Sequence, residues 1–161
     1  MSNSILISYN NEEPPLDVSI DKNAILMFLD HLLEKRGYTE WELSVVFTSN
    51  SYIRNLNKTY RGIDMPTDVL SFEMGERYID DTGLERFSAG DIVLSLESIQ
   101  ENAKTFCVSL NEELKRVLIH GVLHLEGMDH ATNDDVEPML VLQEKILKTF
   151  SNVKIVEEKV V

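Results

Sequence analysis

Apolar positions recur along this chain with two periods, and the switches between them mark out its elements. Residues 4–9 carry the apolar alternation of a first strand, and residues 10–15 make a polar loop containing prolines. Asp21 stands where an N-cap belongs, ahead of Ile25, Leu26, Phe28, Leu29, Leu32 and Leu33, which share one helical face; Gly37 closes that helix. Trp41, Leu43, Val45 and Phe47 alternate as a second strand. A short helix follows, capped near Ser49 or Ser51, with Ile53, Leu56 and Tyr60 inward and Gly62 near its end. Met65-Pro66 forces an extended turn, after which residues 67–74 predict a third strand. The charged, glycine-containing stretch 75–89 reads as a long loop of the kind that often carries function.

Residues 90–95 predict a fourth strand, and Ser95 caps a helix running to about Phe106. Ser109 and Glu112 form a capping box for a helix buried through Leu114, Val117, Leu118, Val122 and Leu125. A final helix is expected to start between Asn133 and Asp135 and run to about Phe150, with Pro138 tolerated in its first turn. Residues 153–161 show no pattern, and no repeat, low-complexity tract or linker interrupts the chain.

A chain of 161 residues is long enough for a full core, so a single domain spanning 1–161 is expected. The balance of 43% hydrophobic to 27% charged residues is that of a soluble globular protein, and no apolar run is long enough to cross a membrane. The N-terminus lacks the basic region and apolar core of a secretory signal. A lone cysteine, Cys107, excludes an intramolecular disulfide and a thiolate cluster, and is read as a small buried apolar residue. A cytoplasmic protein fits these features. The net charge of −13 argues against non-specific coating of nucleic acid, so any such contact must come from a local patch. Lys58, Lys115 and Arg116 could supply one, although solvated helix faces are the preferred reading of them.

The chemistry concentrates in residues 120–130, HGVLHLEGMDH, which hold three of the four histidines. His120 and His124 lie four apart, on one helical face with a rise of about 6 Å. His130 would swing to the far side if the helix continued. Gly127 is the natural residue to end the helix in a left-handed conformation and turn His130 back. The spacing is that of three ligands for one transition metal, and three protein ligands leave an open position, as in a catalytic zinc site. The order His-x-x-x-His-x-x-Gly-x-x-His is also that of metzincin peptidases, but their general-base glutamate is replaced here by Gly121. The fourth histidine, His31, is read as structural or exposed.

With these histidines, the segment YRGIDMPTDVLSF (residues 60–72) and Gly90-Asp91-Ile92, the chain resembles the YbeY family of metal-dependent endoribonucleases. The resemblance covers roughly the C-terminal two-thirds of the chain. It implies an α+β, zincin-like fold: a small mixed sheet of about four strands packed against helices, with zinc at the end of the core helix. It implies cleavage of single-stranded RNA during small-subunit ribosomal RNA maturation and ribosome quality control, with the ribosomal small subunit as partner. It places His120, His124 and His130 as metal ligands and Arg61 as the functional arginine. No nucleotide cofactor and no membrane partner are expected. Met128 stands where the family often has tyrosine, and Glu73 where proline is common.

The residues themselves agree in chemistry. Zinc lowers the pKa of bound water to about 7, and the planar donor fork of Arg61 suits a phosphate in transition. An ion pair with Asp64 or Asp68 explains Arg61 as well. Asp91 and Asp129 could orient imidazoles, or act as capping or turn residues. Three imidazoles would also accept nickel or copper. Two other functions remain open: a zinc peptidase, and a ribosome-associated metal protein that binds without cleaving.

Overall fold

Four side-chain oxygens start four of the helices. Asp21 accepts from the Ala24 amide (3.0 Å), Ser49 from Tyr52 (3.2 Å), Ser95 from Ser98 (3.3 Å) and Ser109 from Glu112 (3.0 Å). Each satisfies an amide that the first turn leaves without a partner. The return half of the expected capping box is not made, because Glu112 turns to Arg116 instead.

The computed structural model describes residues 3–10 and 18–158, so most of the loop expected at 10–15 lies outside the described residues. The elements are β1 (Ser4–Tyr9), β2 (Val18–Ile20), α1 (Lys22–Lys35), β3 (Trp41–Thr48), α2 (Asn50–Arg61), β4 (Val69–Ile79), β5 (Glu85–Ser95), α3 (Leu96–Thr105), α4 (Leu110–Leu125), α5 (Pro138–Thr149) and β6 (Val156–Glu158). The class is α+β. Four strands form a mixed sheet in the order β1-β3-β5-β4; β1, β3 and β5 run parallel, and β4 closes one edge antiparallel to β5.

The period-two alternation sorts the two faces of the sheet. Leu43, Val45 and Phe47 of β3 and Ile92 and Leu94 of β5 join the main core with α1, α3, α4 and α5. Val46 and Val93, one position out of phase, face the other way and pack with Ile53, Leu56, Leu70 and Phe72 beneath α2. α4 is the centre of the main layer, with eleven of its sixteen residues buried. No helix among the described residues is long and apolar enough to cross a membrane.

Several sequence expectations need correction. Residues 75–89 are not a loop: they are the outer half of the β4–β5 hairpin, turning at residues 80–84. The outer half of β4 is exposed throughout, so it carries no apolar period to read. Asp80 ties the turn by accepting from Thr82, Leu84 and Arg86, and these hydrogen bonds hold its carboxyl well below the usual range. The patternless tail forms β6, which pairs with β2 as a second, two-stranded sheet. The last helix starts later than expected, with Glu137 at the cap position and Pro138 in the first turn. Tyr60 is not inward but 66% exposed; Asn57 takes the buried position on α2. Cys107 is exposed, in the turn between α3 and α4. His31 is exposed, as read.

The proposed basic patch dissolves. Lys115 is only 2% exposed, and its ammonium donates to the carbonyls of Phe150 and Val153, both at 2.8 Å, closing the C-terminus of α5. Arg116 is surrounded by Glu112, Glu113 and Glu144. Lys58 stays exposed near Asp64.

Candidate metal centre

α4 carries His120 and His124 on its last two turns and ends at Leu125. Two features make that end sharp. Glu126, its side chain only 4% exposed, is gripped by Arg36 (2.8 Å) and by the Tyr38 hydroxyl (2.8 Å), which anchors the helix end to the segment after α1. Gly127 then adopts φ +96, a conformation in which a Cβ is strained, and the Gly127 and Met128 amides donate back to the carbonyls of His124 (2.9 Å) and Leu123 (3.1 Å). The reversal expected from the sequence is therefore present, and it returns His130 to the helix end.

One ligand nitrogen from each of His120, His124 and His130 lies within 4.8 Å of the others. Nε2 of His120 and Nε2 of His124 are 3.0 Å apart. The outer nitrogens are equally informative. Nδ1 of His120 meets Oε1 of Gln143 at 2.7 Å, Nδ1 of His124 meets the Met128 carbonyl at 3.0 Å, and Nδ1 of His130 meets the Thr132 carbonyl at 2.8 Å. All three partners are acceptors, so each Nδ1 carries the proton and each Nε2 keeps its lone pair. Such a set could hold a metal ion: three imidazoles whose Nε2 atoms are left free by the hydrogen bonds at Nδ1. Burial pushes His120 and His124 below the ordinary histidine value, which keeps them neutral at pH 7. The Gln143 and Met128 oxygens pull the other way, and the neighbouring histidines add to the depression of His120.

Arg61 ends α2, where Gly62 stops the helix, and it is exposed. Its positive charge is felt at His124, where it lowers the imidazole pKa. Neither anticipated ion pair forms: Asp64 takes Arg54 at 2.8 Å, and Asp68 accepts from Asn102 at 3.2 Å. Among the described residues Arg61 enters no ion pair, so its donor fork is left available. Asp91 accepts from Ser44 and touches no imidazole. Asp129 shapes the loop instead of an imidazole, accepting from the His130 amide at 2.8 Å.

Sequence reasoning missed the groups that hold the histidines. Two are main-chain carbonyls, which no residue type announces. The third, Gln143, left a trace: it is a polar residue in the stripe Met139, Gln143, Ile146, Leu147. The Gly121 position also acquires a reason. A Cβ there would meet Ile92 at 2.9–3.2 Å, so this side of α4 lies against the sheet. A metzincin-type glutamate at this position would run into Ile92.

Residues 7–151 match the family model described as endoribonuclease YbeY. A Treponema denticola protein named endoribonuclease YbeY is 48% identical over 155 residues, covering 96% of this chain and 98% of that protein. One of the same name from Borreliella burgdorferi is 43% identical over 133 residues, covering 78% and 84%. The solution structure of a Thermotoga maritima protein aligns with a TM-score of 0.58 at 28% identity, covering 92% of this chain and 90% of that one.

Proposed function

This chain belongs to the endoribonuclease YbeY family, and on that footing we propose that it is a zinc-dependent endoribonuclease specific for single-stranded RNA. Its substrate is the precursor of small-subunit ribosomal RNA, in the cytoplasm, and it serves both maturation of that RNA and quality control of the ribosome. The fold is zincin-like, in one domain over residues 1–161. The observation that carries the reading is the shared orientation of the three imidazoles, each with Nδ1 on an oxygen acceptor and Nε2 left to a cation.

His120, His124 and His130 would hold one zinc ion. When bound, the ion supplies Lewis acidity toward the phosphate and makes water acidic enough to serve as nucleophile near neutral pH. The protein's own part is orientation and charge. The Gln143, Met128 and Thr132 oxygens hold the rings in one tautomer, so no proton need leave an Nε2 when the ion binds. Arg61, exposed, without an ion pair among the described residues and close enough to lower the His124 pKa, binds the non-bridging oxygens of the scissile phosphate and opposes the charge that grows on them. The net charge of −13 disfavours non-specific contact with RNA, so a local cation such as Arg61 must anchor the substrate.

Purified, zinc-loaded protein offered single-stranded RNA and, separately, an unstructured polypeptide decides the matter. Cleavage of the RNA and not the polypeptide is expected. Cleavage of the polypeptide alone would replace this reading with a peptidase. Binding of ribosomal small subunits with neither cleavage would leave a metal protein that only binds.

A further inference from the structure

On the Nδ1 side of His120 a chain of polar groups runs back between α4 and α5. Gln143 is 7% exposed, at a point where the inward stripe of α5 is otherwise apolar. Its Oε1 faces His120 Nδ1 at 2.7 Å, and its Nε2 donates to Glu144 Oε2 at 3.2 Å. Arg116 donates to Glu144 through Nε (3.0 Å) and Nη2 (3.1 Å), and to Glu113 through Nη1 (2.5 Å). Arg116 and His120 are four apart on α4, so the relay leaves one face of that helix and returns to it.

The direction of this relay has a consequence. A carboxamide has one accepting and one donating end. Reversing Gln143 would set its oxygen against a carboxylate and its NH2 against the imidazole. Burial acts to raise the Glu144 pKa, but the hydrogen bonds from Arg116 and Gln143 outweigh it and the carboxyl is held low. An ionised Glu144 therefore holds the NH2 end, and the amide oxygen is left facing Nδ1.

We infer that Gln143 is a positioning residue: it locks His120 in the Nδ1–H tautomer and so sets the metal affinity of the triad, while Glu144 and Arg116 fix which way the Gln143 amide points. The inference rests on the three histidines being metal ligands. His120 differs from its two neighbours in this respect. His124 and His130 are oriented by main-chain carbonyls within their own helix end and loop, whereas His120 is oriented by a side chain from another helix. The packing of α5 on α4 thus reaches the metal site through one amide.

The test combines zinc affinity, measured by chelator competition, with ¹⁵N NMR of the imidazoles in metal-free protein. In the unaltered protein His120 is expected to carry its proton on Nδ1. Gln143→Leu keeps the bulk but removes the acceptor. Its zinc affinity is expected to fall about 10- to 100-fold, and His120 alone to become a mixture of tautomers. The double variant Gln143→Glu with Glu144→Gln keeps an oxygen toward Nδ1 and an amide donor beside it, without setting two carboxylates together, and is expected to recover zinc affinity, which a purely packing role would not produce. Unchanged zinc affinity in folded Gln143→Leu overturns the inference. So does an Nε2–H tautomer of His120 in the unaltered metal-free protein, a result that needs no variant to fold. Failure of the unaltered protein to bind zinc is a separate outcome: it removes the ligand assignment, and this inference with it.

Discussion

His120 and His124 face each other through Nε2 atoms only 3.0 Å apart, and the oxygen acceptors at both Nδ1 atoms favour the tautomer that leaves each Nε2 its lone pair. Two lone pairs held that close repel unless a cation lies between them. If the triad holds a metal ion, as proposed, that repulsion is relieved on binding.

Zinc should therefore bind one per chain and raise the melting temperature, by an amount that grows with free zinc. A ligand at about 1,000 times its dissociation constant adds roughly 4 kcal/mol. His124→Ala should lose both the metal and the thermal response. Stoichiometric zinc in that variant, by elemental analysis, would remove the site.

Gly127→Val removes no ligand, and the Cβ position is open, with Glu73 no closer than 4.0 Å. The strain is purely in the backbone, because φ +96 is costly for any side chain and worst for a β-branched one. A left-handed residue costs about 1–2 kcal/mol, and His130 is misdirected as the loop relaxes. Lower stability together with weaker zinc binding is expected. Normal affinity in the folded variant would mean that His130 does not depend on this turn.

Gly121→Glu should not create a peptidase base. The new side chain meets buried Ile92, and overpacking of this kind costs about 1–3 kcal/mol before the expense of burying a carboxylate is added. A large fall in melting temperature is expected, with no gain of peptide cleavage. A stable variant that cleaves peptides would reverse the orientation assigned to this face of α4.

Arg61 separates chemistry from stability because, among the described residues, it makes no ion pair that folding could use. Arg61→Lys should fold, keep zinc and lose part of its RNA cleavage; Arg61→Leu should lose more. Deleting a donor of this kind costs roughly 3–4 kcal/mol, about a hundredfold to a thousandfold in rate. Single-turnover cleavage beside thermal melts is the measurement. Unchanged cleavage per folded molecule in Arg61→Leu would take the residue out of the active site.

Much of this was legible in one dimension because the signals are local. A helix repeats every 3.6 residues, so His120 and His124 declare a common face by spacing alone. Gly127 declares the turn because few other residues tolerate a positive φ. The caps act within three residues of themselves: Asp21, Ser95 and Ser109 proved to be where the pattern put them, and Ser49 is the one of two candidate serines that caps its helix. The hairpin over residues 75–89 escaped because a strand exposed on both faces needs no apolar alternation, and its pairing partner defines it instead.

What the sequence determined by itself was the core helices and the central strands of the main sheet, and the grouping of three histidines at one helix end, since these follow from periodicity and short-range backbone preference. What only the tertiary structure decided was which way each histidine points its lone pair, and which cations stay free. Lys115 and Arg61 are both cationic residues on helices, yet one is buried against α5 carbonyls and the other exposed beside His124. Gln143 meets His120 across 23 positions of chain. Hydrogen bonds between distant segments depend on how helices dock, and docking is settled by the packing of the whole core, not by any neighbour in sequence.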